Sequence, residues 1–483
     1  MKIYLLNPPF KKGFCRSVRG SGEVSRGGTL YYPICLSYAT GVLEQQHDVR
    51  LVDAQARKWD LELVLEDIKQ YAPDMVIIDT NFACLNNDLA IASQIKHETG
   101  SILVIVGPPA SQFSSEILSH PGIDIAVRYE YDITLQELAK CIESGLSYSQ
   151  IAGISYLEDG KPVHNPLRSL TQGADLDQIP FVSKVYHNHL NIEDYFLSSS
   201  LYPVVQIFTG RGCPNQCTFC SWPSNLMGRK YRVRSLTNVL DELEWIQNNL
   251  DVKEVFFEDD TFTINRSRVL EFCEQYKHRN LDLAWSCNTR VNTLDLETMK
   301  AMKRANCRLL IAGYESGSDT ILRTIKKGAN VEQMRKFAQS AKKARLMVHG
   351  DFIIGLPGET KETVQMTKDL IHDLKPELLQ VLVPQPIPGT ELYDQCKRDG
   401  HLLIDDPNQY LDDSGYQKTI LSYPGMSGRE MGYEANRILR GYYLSPWYIS
   451  LVMRQIFRKN SLSEMKRLWT STKVFLKYIS AEQ

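Results

Sequence analysis

Short apolar runs that stop at proline, glycine, asparagine or aspartate recur along most of this chain, each followed by a stretch of helical periodicity. That alternation constrains the fold more than any other feature. Strands separated by helices pair in parallel, with the helices covering the sheet faces. In residues 1–150 the runs are Ile3–Leu6, Asp48–Val52, Met75–Ile78, Ile102–Val106 and Ile123–Val127. Helical patterns fill the gaps at Ile34–Gln45, Leu61–Tyr71, Asp88–His97 and Thr134–Glu143; Leu61, Val64, Ile68 and Tyr71 share one face. The predicted fold class is α/β, opening with a doubly wound parallel sheet. Ligands of such sheets sit beyond the carboxyl ends of the strands, where this sequence carries Asn7-Pro8-Pro9, Asp53, Thr80-Asn81, Gly107-Pro108 and Tyr129-Glu130. The same residues also read as ordinary strand-to-helix turns, since a fold does not fix a function. No Gly-x-Gly-x-x-Gly follows the first run, so a dinucleotide is not expected.

Composition narrows the function classes. Lys and Arg number 55 against 57 Asp and Glu, a net charge of −2, which excludes a globally basic nucleic-acid binder. No apolar run approaches the roughly 20 residues of a membrane-spanning helix. The N-terminal MKIYLLNPPF breaks at Asn7-Pro8-Pro9, unlike a signal peptide, so a cytoplasmic, reducing location is expected. The loop Arg16–Gly28 carries Gly20, Gly22, Gly27 and Gly28 with Arg16, Arg19 and Arg26. It suits either a mobile basic flap over an anionic ligand or a surface excursion.

Residues 151–200 hold two short runs, Ile151–Tyr156 and Lys161–His164, around Asp159-Gly160, then an irregular passage with Pro166 and Pro180. They read as a linker. Val204–Phe208 is the next run, and it leads into Thr209-Gly210-Arg211-Gly212-Cys213-Pro214-Asn215-Gln216-Cys217-Thr218-Phe219-Cys220. The chain has 11 cysteines, an odd number, and these three are its one tight cluster, which argues for a metal site over a disulfide framework. Three thiolates on a glycine-led loop can converge on a soft metal centre. A structural zinc would need a fourth ligand, and no second Cys-x-x-Cys is present, though a distant Cys or His could serve. Around an iron–sulfur cube, three cysteines leave one iron open to chemistry.

Cys213-x3-Cys217-x2-Cys220, with Phe219 before the last cysteine, resembles the signature of radical S-adenosylmethionine enzymes. The resemblance covers roughly residues 200–390 and implies a [4Fe–4S] cluster on the three cysteines, S-adenosylmethionine chelated to the open iron, and Phe219 beside its adenine. It also implies a partial (β/α)6 barrel. Runs at Val252–Glu258, Leu283–Ser286, Arg308–Glu315, Met347–Ile354 and Leu379–Pro384 supply the further strands. At their ends stand Asp259, Arg290, Glu315, Gly355 and Gly358, expected near the cofactor as barrel sites are. Arg290 and Glu315 resemble the family residues that contact its carboxylate and ribose, and the two glycines would let the backbone approach a ligand closely.

With such a barrel downstream, residues 1–150 look like the cobalamin-binding domain of the cobalamin-dependent branch of that family, with Asn7, Pro8, Asp53, Gly107 and Glu130 as its cofactor contacts. No Asp-x-His-x-x-Gly is present to give cobalt a histidine, which is normal in that branch. One departure stands out: the turn where a Gly-Glu-x-Glu-like sequence is usual reads Tyr129-Glu130-Tyr131-Asp132. Tyrosine has no cheap access to positive φ, so this turn is expected to take another shape. The resulting layout is a cobalamin-binding-like domain at 1–150, a linker at 151–200, the barrel at 201–395 and a helical region at 396–483. From Arg429 to Gln483 there are ten Lys and Arg against four Glu, interleaved with Tyr442, Tyr443, Trp447, Tyr448, Phe457, Trp469, Phe475 and Tyr478. That tail reads as a helical cap or as a surface for an anionic or membrane-associated substrate.

The leading expectation is cobalamin-dependent methylation of an unactivated carbon in a small-molecule or lipid-like substrate, with a reductase or flavodoxin-type electron donor. The alternatives are radical ring formation or rearrangement, diol dehydration, or a metal-binding protein without catalysis. A methylthiotransferase would need three further clustered cysteines, and Cys15, Cys35 and Cys84 are isolated.

Overall fold

Strand β1 (Lys2–Asn7) is buried at every position after the first. A strand without polar alternation must be covered on both faces, the condition met inside parallel sheets. The computed structural model, which describes residues 1–16 and 22–456, shows how. After β2 (Phe14–Cys15) and β3 (Glu23–Val24), which pair with each other, come β4 (Asp48–Asp53), β5 (Met75–Asp79), β6 (Ile102–Val106), β7 (Ile125–Val127), β8 (Ile154–Glu158) and β9 (Lys161–His164). The first sheet runs β4-β1-β5-β6-β7-β8-β9 and is parallel from β4 to β7. Its order reverses between β1 and β5, the crevice where doubly wound sheets take ligands. Alternate side chains of β1 serve two cores. Ile3 and Leu5 pack under helices Ile34–Leu43 and Asp132–Glu143, while Tyr4 and Leu6 pack under Leu61–Tyr71 and Leu85–Thr99.

The segment read as a linker at 151–200 is structural. β8 and β9 form an antiparallel hairpin that extends the first sheet through β7, so the sheet does not stop at residue 150. The turn at Asp159-Gly160 joins the two strands, and the buried face of β8 (Ile154, Tyr156) ties the hairpin to the core. Helix Val182–His189 then buries Val182, Val185 and Tyr186 in the core that also takes in Ile34–Leu43.

The second sheet begins at β10 (Val204–Ile207). A small antiparallel pair follows, β11 (Gly210–Arg211) with β12 (Arg232–Val233). β13 (Glu254–Phe257), β14 (Ala284–Thr289), β15 (Cys307–Glu315), β16 (Met347–Ile353) and β17 (Leu378–Leu382) continue it in the order β10-β13-β14-β15-β16-β17, all parallel. This is the expected six-stranded open barrel. Its outer face is packed by aromatic side chains: Phe257 stacks on Trp285 at 5.2 Å, and Phe272 meets Trp285 edge-on at 5.5 Å.

An open barrel leaves an edge, and unpaired edges are a hazard. Helix Gly428–Tyr443 covers this one. The Tyr443 hydroxyl accepts from Leu379 N at 2.9 Å and donates to Leu379 O at 2.6 Å, and the Tyr442 hydroxyl donates to Pro376 O at 2.5 Å. The described aromatic residues of this region pack against one another: Tyr443 and Tyr448 meet edge-on at 4.7 Å. Phe457, Trp469, Phe475 and Tyr478 lie outside the described residues. Among the described residues no helix is long and apolar enough to cross a membrane. Tyr443→Phe should expose both edge groups of Leu379 and cost about 1–3 kcal/mol. A urea midpoint equal to that of the natural chain, with unchanged exchange of the Leu379 amide, would contradict this account of the edge.

Candidate functional site

The cysteine loop is built on a buried carboxylate. Asp259, just past β13, accepts from Thr209 N and Thr209 Oγ1, both at 2.6 Å, and fixes the root of the loop to the neighbouring strand. Burial pushes this carboxyl up, and Asn288 Nδ2 donates to the Asp259 carbonyl at 2.9 Å. Asp259 was expected to face the cofactor. Its carboxylate is instead engaged in holding the loop.

Cys213 and Cys217 are buried, while Phe219 and Cys220 are partly exposed. Asn215 Nδ2 donates to Cys213 Sγ at 3.2 Å, and Arg290 Nη1 donates to Cys217 Sγ at 3.5 Å. Hydrogen bonds to sulfur are what tune an iron–sulfur cluster. The middle of the loop is stitched to the barrel, with Thr218 N donating to Ile325 O at 3.1 Å and Leu392 N to Thr218 O at 3.0 Å. No three His, Cys, Asp or Glu side chains among the described residues close around a single point as one ion requires. Ligands shared over several irons do not have to meet that requirement.

Arg290 and Glu315 are brought together by Lys327, which the sequence did not single out. The Lys327 carbonyl accepts from Arg290 Nη2, and its ammonium pairs with Glu315 Oε1 at 2.6 Å in a buried bridge. Arg290 Nε is buried without a hydrogen-bond partner. Glu315 sits at φ 67°, and its carboxylate fills the space beside Gly313, where a Cβ would lie 2.3 Å from Oε1. Gly313 pairs with Asp351 on β16, so Asp351 faces the same side of the sheet. Burial, with Glu315 adding and Lys327 opposing, pushes the Asp351 carboxyl from 3.8 up to about 8. Its Oδ1 stands 3.4 Å from His349 Nε2. Both residues lie inside a strand, where a search of strand ends does not look; their period-2 spacing was the available signal.

A carboxyl that stays protonated in the folded chain but ionises near 4 when unfolded makes stability fall as pH rises. For Asp351 the window runs from its ordinary 3.8 to about 8. Asp351→Asn should flatten that decline, leaving urea midpoints at pH 5 and pH 8.5 closer together than in the natural chain. An equal decline in the variant would show that another group causes it.

The glycine loop after β16 closes on itself. Gly355 N and Leu356 N donate to Glu359 Oε2 at 2.7 and 3.2 Å. Gly355 sits at φ 104°, and a Cβ there would lie 2.5 Å from Met431 Sδ of helix Gly428–Tyr443. The close approach expected of a ligand is therefore made by the C-terminal helix. At Gly358 (φ 87°) a Cβ would meet only Ile321 Cδ1, at 3.6 Å.

At the first sheet, Asp53 accepts from Asn7 Nδ2 at 2.8 Å, from Ala56 N at 3.2 Å and from the Tyr195 hydroxyl at 3.0 Å. Pro8 is buried beside them. Asp53 thus caps the helix Ala54–Arg57 and ties down the 195 region; its carboxylate is engaged within the chain. Gly107 has φ 103°, and a Cβ would lie 2.3 Å from Thr80 O and 2.6 Å from Asp79 Oδ1, so only glycine lets β5 and β6 end this close together. Beyond these strand ends opens a cleft lined by Asn7, Tyr32, Asp79, Thr80, Asn81 and Pro108. The Asp79 carboxyl is pushed up to about 7 by burial. Asn81 is 3% exposed and stands within hydrogen-bonding reach of the Cys84 thiol.

The turn after β7 corrects two expectations. Tyr129 does adopt positive φ, 61°, held by its N–H donating to Ser111 Oγ at 2.9 Å, so the turn keeps a left-handed residue despite the bulk. Glu130, expected at a cofactor, meets Arg232 through two bonds of 2.7 and 2.9 Å. Asp132 meets Arg211 at 2.6 Å, and Arg211 also stands 3.8 Å from Glu130. All four side chains are buried, and both arginines belong to the β11–β12 pair from which the cysteine loop springs. The end of the first sheet is thus clamped to the base of the cysteine loop. Arg16 is likewise committed, to Asp88 at 2.7 and 2.8 Å, so this end of the glycine-rich loop is anchored; Arg19 and Gly20 lie outside the described residues.

Comparison with known proteins agrees with this geometry. Residues 207–371 match the Radical SAM superfamily. A Pyrococcus horikoshii protein described as the uncharacterized methyltransferase PH0819 is 33% identical over 405 residues, covering 83% of this chain and 84% of its own. The cytidylyl-2-hydroxyethylphosphonate methyltransferase of Streptomyces wedmorensis is 27% identical over 467 residues, covering 85% and 86%. In fold, the chain is similar to the radical S-adenosylmethionine methyltransferase TsrM of Kitasatospora setae, solved with cobalamin and a [4Fe–4S] cluster. That likeness has a TM-score of 0.72 at 16% identity over 98% of this chain and 99% of that one.

Proposed function

Because this chain belongs to the radical SAM superfamily, we propose that it is a cobalamin-dependent methyltransferase whose Cys213, Cys217 and Cys220 hold a [4Fe–4S] cluster. The observation that carries the reading is the buried clamp of Glu130 and Asp132 on Arg232 and Arg211, which sets the first-sheet cleft and the cysteine loop on one support. The donor sets suit the groups. Three thiols with N–H groups aimed at two of them suit a cluster. The first-sheet crevice, with Asn7, Asp79, Thr80 and Asn81 at the strand ends, presents the polar groups that a cofactor such as cobalamin would meet.

When bound, the cluster supplies the electron that cleaves S-adenosylmethionine, and cobalamin supplies the methyl group. The chain's own part is to orient and to seal. Arg290, beside Cys217 and with a free Nε, and the Glu315–Lys327 pair that it meets through the Lys327 carbonyl are charged groups that suit the charged methionine end and the ribose of S-adenosylmethionine. Asp351 and His349, on the same side of the sheet as Gly313, are the groups offered to a small-molecule substrate whose unactivated carbon is methylated. Burial of Cys213 and Cys217 keeps water from two of the three ligands, which matters for reactive intermediates. A reductase or flavodoxin-type protein would deliver the electron.

Anaerobic reconstitution with iron, sulfide and hydroxocobalamin tests this. The expected product is a brown protein that retains one cobalamin per chain and releases 5′-deoxyadenosine after reduction with S-adenosylmethionine. A colourless protein with one tightly held zinc would refute the reading.

A further inference from the structure

The cysteine loop comes to the surface in its middle. Cys213 and Cys217 are buried, but Pro214 and Gln216 between them are exposed. A redox carrier resting on this edge stands one residue from Cys213 and one from Cys217. That matters because a single electron crosses only a short gap between redox centres.

Cations flank the edge on both sides. On one side Arg229 donates to Asn215 O at 2.5 Å and to Ser224 Oγ at 3.2 Å, and the exposed Lys230 beside it donates to Gln172 Oε1 at 3.1 Å. On the other side Ile325 O accepts from Thr218 N of the cysteine loop, and the turn around it carries Arg323 and Lys326, both exposed. Arg323 donates to Thr320 Oγ1 at 3.1 Å. The partners of Arg229, Lys230 and Arg323 are thus all uncharged, and no carboxylate offsets these three charges. Lys326 is paired with Glu391 at 2.7 and 2.8 Å, and Asp319 Oδ1 is taken by Val331 N at 2.9 Å. On these two helices that leaves Asp394 to set against the three cations. The whole chain carries a net charge of −2, so this face opposes the overall sign and has no general cause in the composition.

We propose that this edge is the docking face for a small acidic one-electron carrier protein of the flavodoxin kind, steered onto Pro214 and Gln216 by Lys230 and Arg323. The inference rests on the cluster reading above. Electron-transfer encounters bury little area, and complementary charge sets their rate and register. The carrier's flavin hydroquinone anion gives up one electron and becomes the neutral radical, the cluster gains that electron, and no proton has to move.

The test uses the reconstituted full chain without oxygen, with reduced flavodoxin as the probe and the rate of cluster reduction followed by stopped-flow absorbance. In the natural chain this rate should fall at least about fivefold between about 20 mM and about 500 mM salt, as the steering charges are screened. The double variant Lys230→Glu with Arg323→Glu should be reduced about tenfold more slowly at the lower salt and lose most of the salt dependence. Dithionite, a small reductant that needs no docking face, should reduce both chains at rates within about twofold of each other. A natural chain reduced no faster at low salt than at high, or a double variant reduced by flavodoxin at the natural rate, would overturn the proposal. So would a variant slowed as much with dithionite as with flavodoxin, since its cluster would then be what had changed. If the natural chain takes up no iron–sulfur cluster at all, the cluster reading itself fails, an outcome distinct from these.

Discussion

Replacing Cys213, Cys217 or Cys220 singly with Ala is expected to reduce S-adenosylmethionine cleavage to the level without enzyme. The argument is one of ligand number. Three thiolates are the whole protein ligand set that this loop offers, and an iron–sulfur cube held by two is not retained. The surroundings of the cysteines lead to the same expectation. Asn215 and Arg290 aim N–H groups at Cys213 and Cys217, and the loop is fastened at its root by Asp259 and in its middle by Thr218, so the fold provides fixed places for these sulfurs. The other eight cysteines are all buried, and replacing Cys273 or Cys396 in the same way should leave cleavage intact. The check is release of 5′-deoxyadenosine from anaerobically reconstituted variants, with iron content measured alongside. Cleavage retained in all three cluster variants would remove the basis of the assignment.

A second large effect is expected at the clamp between the first sheet and the cysteine loop. Arg232→Leu should destabilise the chain by about 3–5 kcal/mol, because it leaves the Glu130 carboxylate buried with only the Thr171 N–H at 3.1 Å and Arg211 at 3.8 Å. The same substitution removes the bonds from Arg232 to the Thr171 and Met227 carbonyls at 2.7 and 2.6 Å, which hold the far side of the cysteine loop. Iron retention should therefore fall together with the urea midpoint. The double variant Arg232→Leu with Glu130→Leu should recover part of the loss, since no charge is then left without its partner. Costs that simply add, or a single-variant cost below about 1 kcal/mol, would mean that the four charges act as independent surface groups.

The two β/α series were legible because each strand is a compact apolar run with a breaker at its end, and in a parallel sheet the breakers mark the ligand side. The starts of helix Leu61–Tyr71 and strand Ile102–Val106 could be read to the residue for that reason. The three cysteines were legible because their spacing is local. What escaped was long-range. Nothing in the sequence near Lys327 says that it will carry Arg290 on its carbonyl and Glu315 on its ammonium. Nothing near Glu130 says that its partner stands 102 residues away. Asp53, Asp259 and Glu130 sit where ligand-binding groups belong, and each is engaged within the protein. A strand-end carboxylate serves a cofactor or the fold equally well, and the partner that decides lies elsewhere in the chain. The left-handed Tyr129 is not legible from its own cost, because the Ser111 hydroxyl that holds its N–H lies 18 residues away.

The most direct test of radical cleavage joined to methyl transfer is a single anaerobic reaction. Holoenzyme carrying iron and cobalamin is reduced in the presence of S-adenosylmethionine deuterated at its methyl group. The account predicts that 5′-deoxyadenosine and S-adenosylhomocysteine both accumulate and that deuterated methyl appears on the bound cobalamin. Iron-loaded, reduced protein that forms no 5′-deoxyadenosine would contradict it.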